Sequence, residues 1–307
     1  MQCASWHGNA LLGLAAVGLA SMPLWATAYV MQLASTALIA AMFALSLQLL
    51  AGGVGLISLA HAAFFGLGAY AVYFVGSSAS VLETLPASAM LGAVASFVIG
   101  TLTLRTRGFF FLMSTLAFAQ MLFFVFHDTK LGGGADGVFI QRPDVFLPLT
   151  RAARPAILLL LNLGVLVLMY AALWFLMQTM LGRALNGIRA NEHRMHALGH
   201  DVQGMKLAAF VIAGTLAGIA GHMAALTDAF VTPDLLGWHR SAEALLMVLL
   251  GGIGMLHGPI LGAFALTWLT EVSQMVTERQ RLVQGLVILG AVLLLPRGIA
   301  GIRFSRR

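Results

Sequence analysis

LGRALNGIRANEHRMHALGHDVQGMK, residues Leu181–Lys206, is a charged island in a chain that is almost uninterrupted hydrocarbon on either side of it. Within the island Leu181, Ala184, Leu185, Ile188, Met195 and Leu198 recur near i, i+3, i+4, i+7 spacing, while Arg183, Arg189, Glu192 and Arg194 take other faces. That pattern predicts one short amphipathic helix, closed by Gly199 in the left-handed conformation that ends helices. A helix this short must lie on a surface, either the bilayer or a second protein. The membrane-length runs that flank it decide the fold class: an all-α, polytopic membrane protein.

The composition agrees. The chain has 307 residues, 60% hydrophobic and only 9% charged, with a mean hydropathy of +0.93, far from a soluble average. Nearly all of it is spent on spans, so one membrane domain over 1–307 is the economical reading. The net charge of +6 and pI of about 10.2 would suggest nucleic acid in a soluble protein. Here the first basic residue is Arg105 and the rest sit at loop ends, a distribution that reads as topology, with no nucleic-acid partner. Cys3 is the sole cysteine, which excludes an internal disulfide or a multi-thiolate metal site. The N-terminal stretch lacks the basic region of a cleavable signal, and the first span is expected to remain.

Crossing the hydrocarbon takes about 20 helical residues. On that ruler spans fall near 10–29, 31–50, 60–76, 87–104, 109–127, 155–177, 207–227, 241–257, 259–277 and 282–296, about ten in all, with 31–77 and 241–296 rich enough in glycine for broken helices. Arg105 and Arg107, the basic residues of the 178–206 loop, and Arg297, Arg303, Arg306 and Arg307 share one side only if that side is the cytoplasm. Both termini are then cytoplasmic, and the large 128–154 loop is outside. Lys130, Arg142, Arg151 and Arg154 in that loop, with Arg279 and Arg281, run against the rule.

Two stretches echo one another. LLAGGVGLISLAHAAFFGLGAY (Leu49–Tyr70) and VLLGGIGMLHGPILGAFAL (Val248–Leu266) both carry Gly-Gly-apolar-Gly-apolar after an apolar run, 199 residues apart. Convergent close packing of helices explains this, and so does a two-half internal repeat with a central site built from broken helices. Pro259, after Gly258, has the look of a helix interruption.

Candidate chemistry is sparse. His193, His196 and His200 fall on one helical face, but no HExxH pattern or nearby cysteine accompanies them, so they read as contact surface and not as a metal site. His61 is either a gating residue or an interfacial one. Gln48, Gln120, Asn162, His222 and Glu271 read as hydrogen-bonding links between helices. No relay of intramembrane carboxylates is present, and no GxxxxGK[ST] phosphate loop, so nucleotide-driven work belongs to another subunit. The glycine-rich stretch Leu131–Pro143 reads as a solvated turn or a docking surface for an external partner.

Five stretches carry a family resemblance. Gly55–Tyr70, the Gly133–Gly137 turn, Gly182–Glu192 leading to Ala197–Gly199, Lys206–Phe210, and Gly251–Gly254 with Gly258-Pro259 together resemble permeases of bacterial branched-chain amino-acid ABC importers, of the LivM type, over about residues 30–300. The resemblance implies a single transmembrane permease domain in the inner membrane, itself not an enzyme and without a cofactor. It would work beside a LivH-type permease, two cytoplasmic ATPase subunits that use ATP and Mg, and a periplasmic substrate-binding protein, all set in membrane lipid. The 182–205 island would be the coupling helix, with Arg183, Ile188, Arg189, Glu192 and Leu198 at the ATPase interface. Gly52, Gly55, Ser58, His61, Gly251, Gly252, Gly254 and Pro259 would be the helix breaks that line or gate the path. His193-Arg-Met-His196 departs from the smaller or apolar residues of the family. Related permeases carry urea or short-chain amides, and a stand-alone transporter or channel is the rival from another class.

Overall fold

The computed structural model describes residues 6–76, 81–140, 154–276, 285–286, 289–290 and 298–301. Helix α1 (Trp6–Ser21) passes through a 3-10 turn at Met22–Leu24, where Pro23 cannot continue an α-helix, into α2 (Ala28–Gln48). Without a break, α2 runs on into a π-helical turn at Leu49–Val54. There follow α3 (His61–Val75), α4 (Val81–Thr103), α5 (Phe109–Asp128), α6 (Arg154–Gln178), α7 (Met180–Ala190), α8 (Glu192–Ala197), α9 (Val202–Asp228), α10 (Trp238–Gly251) and α11 (Gly258–Val276). Among the described residues five helices are long and apolar enough to cross a membrane: Ala28–Val54, Glu83–Thr103, Phe109–Asp128, Arg154–Gln178 and Val202–Asp228. His61–Val75 is a shorter apolar helix, and α10 has only 14 residues. The expected span at 282–296 lies almost wholly outside the described residues.

Helix α2 is the mast of the bundle. It is the most enclosed of the five long helices, and it packs against α6, α9, α10 and α11. Beside it, α3, α4 and α9 form a tight group in which missing side chains set the spacing. A Cβ on Gly68 would collide with the backbone of Gly218, and one on Gly92 would lie 2.7 Å from the Gly214 carbonyl. Backbones meet this closely where small residues line the seam, and the contact energy is mostly van der Waals packing. Neutral polar groups add links: Asn162 donates to Thr227 over 3.1 Å, and Ser88 Oγ lies 3.1 Å from His222 Nδ1.

One end of the bundle carries α7 and α8, and the segments after α5 and α9 meet at the other. At that far end Val138–Phe139 pairs antiparallel with Phe230–Val231, and Ile140 donates to the Ala229 carbonyl over 2.9 Å. The glycine turn keeps Leu131, Gly133, Ala135 and Asp136 exposed, while Gly132 is buried where a Cβ would strike the ring of Tyr70. Residues 141–153 of the expected 128–154 loop lie outside the described residues.

The island departs from its expected form in one respect. It is two helices, not one, because Asn191 turns extended (φ −161°) and its side chain accepts from the Arg194 amide over 3.0 Å, starting α8. Gly199 closes α8 at φ +81°, as expected. Asp201 then caps α9, accepting from the Gly204 amide over 3.0 Å.

Candidate functional site: two helix breaks and an amphipathic helix

The first break begins where Gly52, Gly53 and Gly55 leave nothing to stiffen the backbone. Gly55 is left-handed (φ +83°) and ends the π-turn, with its amide bonded to the Leu50 carbonyl over 2.9 Å. Residues 55–60 then run without regular structure from the exposed Gly55 and Ile57 to the buried Ser58 and Ala60. Unwound backbone among apolar helices must find partners within the protein. It finds them in side chains from distant elements. Thr115 of α5 accepts from the Leu59 amide over 3.2 Å. Ser241 of α10 donates to the Leu59 carbonyl and accepts from the Ala62 amide, both over 2.8 Å. Ser58 is buried, its hydroxyl accepting from the Ala60 amide over 3.3 Å.

His61, read as gating or interfacial, is fully buried at the start of α3. Its Nε2 lies 2.8 Å from Ser46 Oγ, and its ring stacks on Phe43 with centroids 5.6 Å apart. Both contacts anchor α3 to α2.

The second break is made by close approach. Helix α10 stops at Gly251, Gly252 takes φ +110°, and a turn through Gly254 and His257 leads into α11 at Gly258. A Cβ on Gly251 would collide with the Gly258 carbonyl, and one on Gly262 with the Met247 carbonyl. Pro259 is the second residue of α11, where its missing N–H costs nothing, so it starts a helix and does not interrupt one. Gly254 is exposed.

These two breaks, distant in sequence, touch. The buried side chain of Gln48, the last residue of α2, donates to the Ile253 carbonyl over 2.6 Å and to the Met255 carbonyl over 3.0 Å. Gly52 makes the approach feasible, since a Cβ there would sit 2.5 Å from the Ile253 carbonyl. From the other side Arg189, the last basic residue of α7, donates through Nη1 to the Gly52 carbonyl. A chain of contacts therefore runs from α7 through Gly52 and Gln48 into the α10–α11 turn.

The remaining residues of the island divide by exposure. Ala184, Leu185 and Ile188 are buried against the bundle, so Ile188 holds α7 onto its own protein and is not available to a partner. Arg183 is exposed and Leu198 is 68% exposed, an apolar side chain standing on the outer surface of the α8 end. Glu192 lies 2.8 Å from Lys206 Nζ, and the hydrogen bond from that ammonium holds the carboxyl below the usual carboxylate range. His193, His196 and His200 are all exposed.

Of the expected path residues, Gly52, Gly55 and the Gly251–Gly254 turn meet at the α7 end, while Ser58 and His61 sit in the packed interior. Two residues matter more than their types suggest. Gln48 reads from sequence as a generic interhelical link, and Ser241 gives no sequence signal beyond being a hydroxyl in an apolar helix.

Comparison with known proteins bears on what this junction serves. The family described as "Branched-chain amino acid transport system / permease component" matches residues 29–292. The high-affinity branched-chain amino acid transport system permease protein LivM of Escherichia coli (strain K12) is 28% identical, over 87% of this chain and 69% of the relative. The ribose import permease protein RbsC of the same strain is 28% identical over 74% of this chain and 72% of the relative. The autoinducer 2 import system permease protein LsrC of Enterobacter sp. (strain 638) is 33% identical over 44% of this chain and 41% of the relative. No solved structure matches.

Proposed function

Because the chain belongs to the permease-component family of branched-chain amino acid transport systems, a family of non-catalytic ABC-importer subunits, we propose that it is one membrane half of an importer for branched-chain or related amino acids, driven by ATPase subunits that dock at α7 and α8. The α7 end then faces the cytoplasm. Support comes from Arg105, Arg107, Arg183, Arg189, Arg194 and Lys206, which gather in the two connections at that end. Both termini are assigned to the same side, the second permease is of the LivH type, and a periplasmic binding protein delivers substrate at the far end.

The observation that carries this reading is the contact chain from Arg189 through Gly52 and Gln48 to Ile253 and Met255. Leu198, Arg183 and the exposed face of α8 are the ATPase-facing set, Ile188 seats α7 on the bundle, and Glu192 stiffens the join to α9 through Lys206. A tilt of α7 that pulled on the Gly52 carbonyl would shift both breaks together. We read those breaks as matching devices of two halves. A ligand or nucleotide moves such an equilibrium only by its differential affinity for the two states, so the permease needs rigid links between the docking surface and the path. Hydrogen bonds to backbone carbonyls supply such links.

The test is reconstitution of the complete importer in proteoliposomes, with ATP hydrolysis and uptake measured against leucine, isoleucine, valine, urea, short-chain amides and ribose. Stimulation by one or more of the branched-chain amino acids with matching uptake is expected. Stimulation by urea, amides or ribose alone would overturn the substrate assignment, and uptake without any ATPase subunit would overturn the importer reading.

A further inference from the structure

At the far end, α2, α10 and α11 enclose a cleft of about 400 Å³. Its upper rim is charged and hydrogen-bonding: Tyr29 and Gln32 of α2, Arg240 and Glu243 of α10, Thr270 and Glu271 of α11. Lower on the same helices the wall becomes apolar, with Leu33, Ala40, Leu246 and Leu266. Polar groups of this number turned towards hydrocarbon would be costly, so this face fronts water or protein within the membrane. From Ala40 the α2 helix descends eight residues to Gln48, about 12 Å at the helical rise. The floor of the cleft therefore points at the junction of the two breaks.

We propose that this cleft is a substrate-binding vestibule in the permease itself, selective for an α-amino acid zwitterion with an apolar side chain; the proposal rests on the importer reading above. The Arg240 guanidinium takes the ligand carboxylate, with the planar two-donor geometry suited to that group. Its present partner is Glu243 at 3.5 Å, an exposed pair of about half-exposed side chains and low intrinsic worth, which exchanges readily for a ligand. Glu271, held by the Tyr29 hydroxyl, and Glu243 take the ammonium. The apolar floor takes the side chain. The volume lies at the small end of the range for ligand pockets, about 300–1,000 Å³, which suits a single amino acid.

The inference is tested on the purified complex of both permeases and the ATPases in nanodiscs, without the binding protein, using radiolabelled L-leucine. Saturable binding is expected, displaced by isoleucine and valine but not by leucine amide, which lacks the carboxylate, or by 4-methylpentanoate, which lacks the ammonium. Arg240→Gln and Glu271→Gln should each weaken binding at least tenfold, and Arg240→Lys should retain part of it. In case those variants fail to assemble, Thr36→Cys in a Cys3→Ser background leaves the charges intact. Its modification by a charged methanethiosulfonate should be slowed by leucine. A complex that imports leucine with its binding protein, yet neither binds it alone nor is protected by it, overturns the vestibule and leaves the importer reading standing. Binding that is indifferent to both Arg240→Gln and Glu271→Gln overturns it equally. A complex that transports no branched-chain amino acid overturns the reading beneath it.

Discussion

At Leu49–Ala60 the chain leaves its helix and side chains from α5 and α10 satisfy its backbone, whereas at Gly251–Gly258 it turns between two helices packed so closely that no side chain fits. The first break is held by what reaches it, the second by what is missing. Breaks of the first kind can be loosened one hydrogen bond at a time, and breaks of the second kind only by prying helices apart. A break held by single hydrogen bonds, joined through Gln48 to one held by close packing, is an arrangement suited to transmitting a displacement.

The comparison is broken most severely at the stiff break. Gly251→Val or Gly262→Val drives a side chain into the facing helix backbone, an overpacking cost of about 3 kcal/mol or more, and no monodisperse protein should be recovered in detergent. Gln48→Leu, next in size, strips the Ile253 and Met255 carbonyls of a buried donor and should cost about 2–3 kcal/mol, read as a lower melting temperature, with more ATP consumed per substrate imported. Ser241→Ala removes the hydroxyl that serves both Leu59 and Ala62 and should cost about 1–2 kcal/mol, again by melting, with the stiff break unaffected. Smallest is Glu192→Gln, under about 1 kcal/mol because the pair is partly exposed. A carboxyl held below its ordinary value by Lys206 stabilises the fold above the unfolded pKa, and that contribution drains away as the pH falls through the folded one. The wild-type advantage over Glu192→Gln should therefore be present at neutral pH and vanish in acid.

Some of this architecture is legible in the residues alone. A membrane forces long apolar runs, so Pro155–Met177 and the run after Lys206 declare themselves, and glycine doublets mark both breaks. The division of the island into α7 and α8 is less legible, because it turns on one asparagine preferring a cap to a helix interior. Least legible are the pairings. Gln48 and Ile253 stand 205 residues apart, and the rim of the cleft draws on α2, α10 and α11, so neither follows from local periodicity. Exposure was also hidden: Ile188 and Leu198 lie on one apolar stripe in sequence, yet the first is buried and the second stands free. Periodicity finds a stripe and cannot tell which end of it the protein covers.

The central claim is that Arg189 conveys movement of α7 to both breaks through the Gly52 carbonyl. It is tested most directly by Arg189→Ala and Arg189→Lys in the reconstituted importer, with ATP hydrolysis and leucine uptake measured in the same vesicles. Hydrolysis should continue in both variants, while uptake per ATP falls about tenfold or more in Arg189→Ala, equivalent to losing a charge-assisted hydrogen bond of about 1.5–3 kcal/mol, and less in Arg189→Lys, which keeps a donor. An unchanged ratio of uptake to hydrolysis in Arg189→Ala would contradict the account.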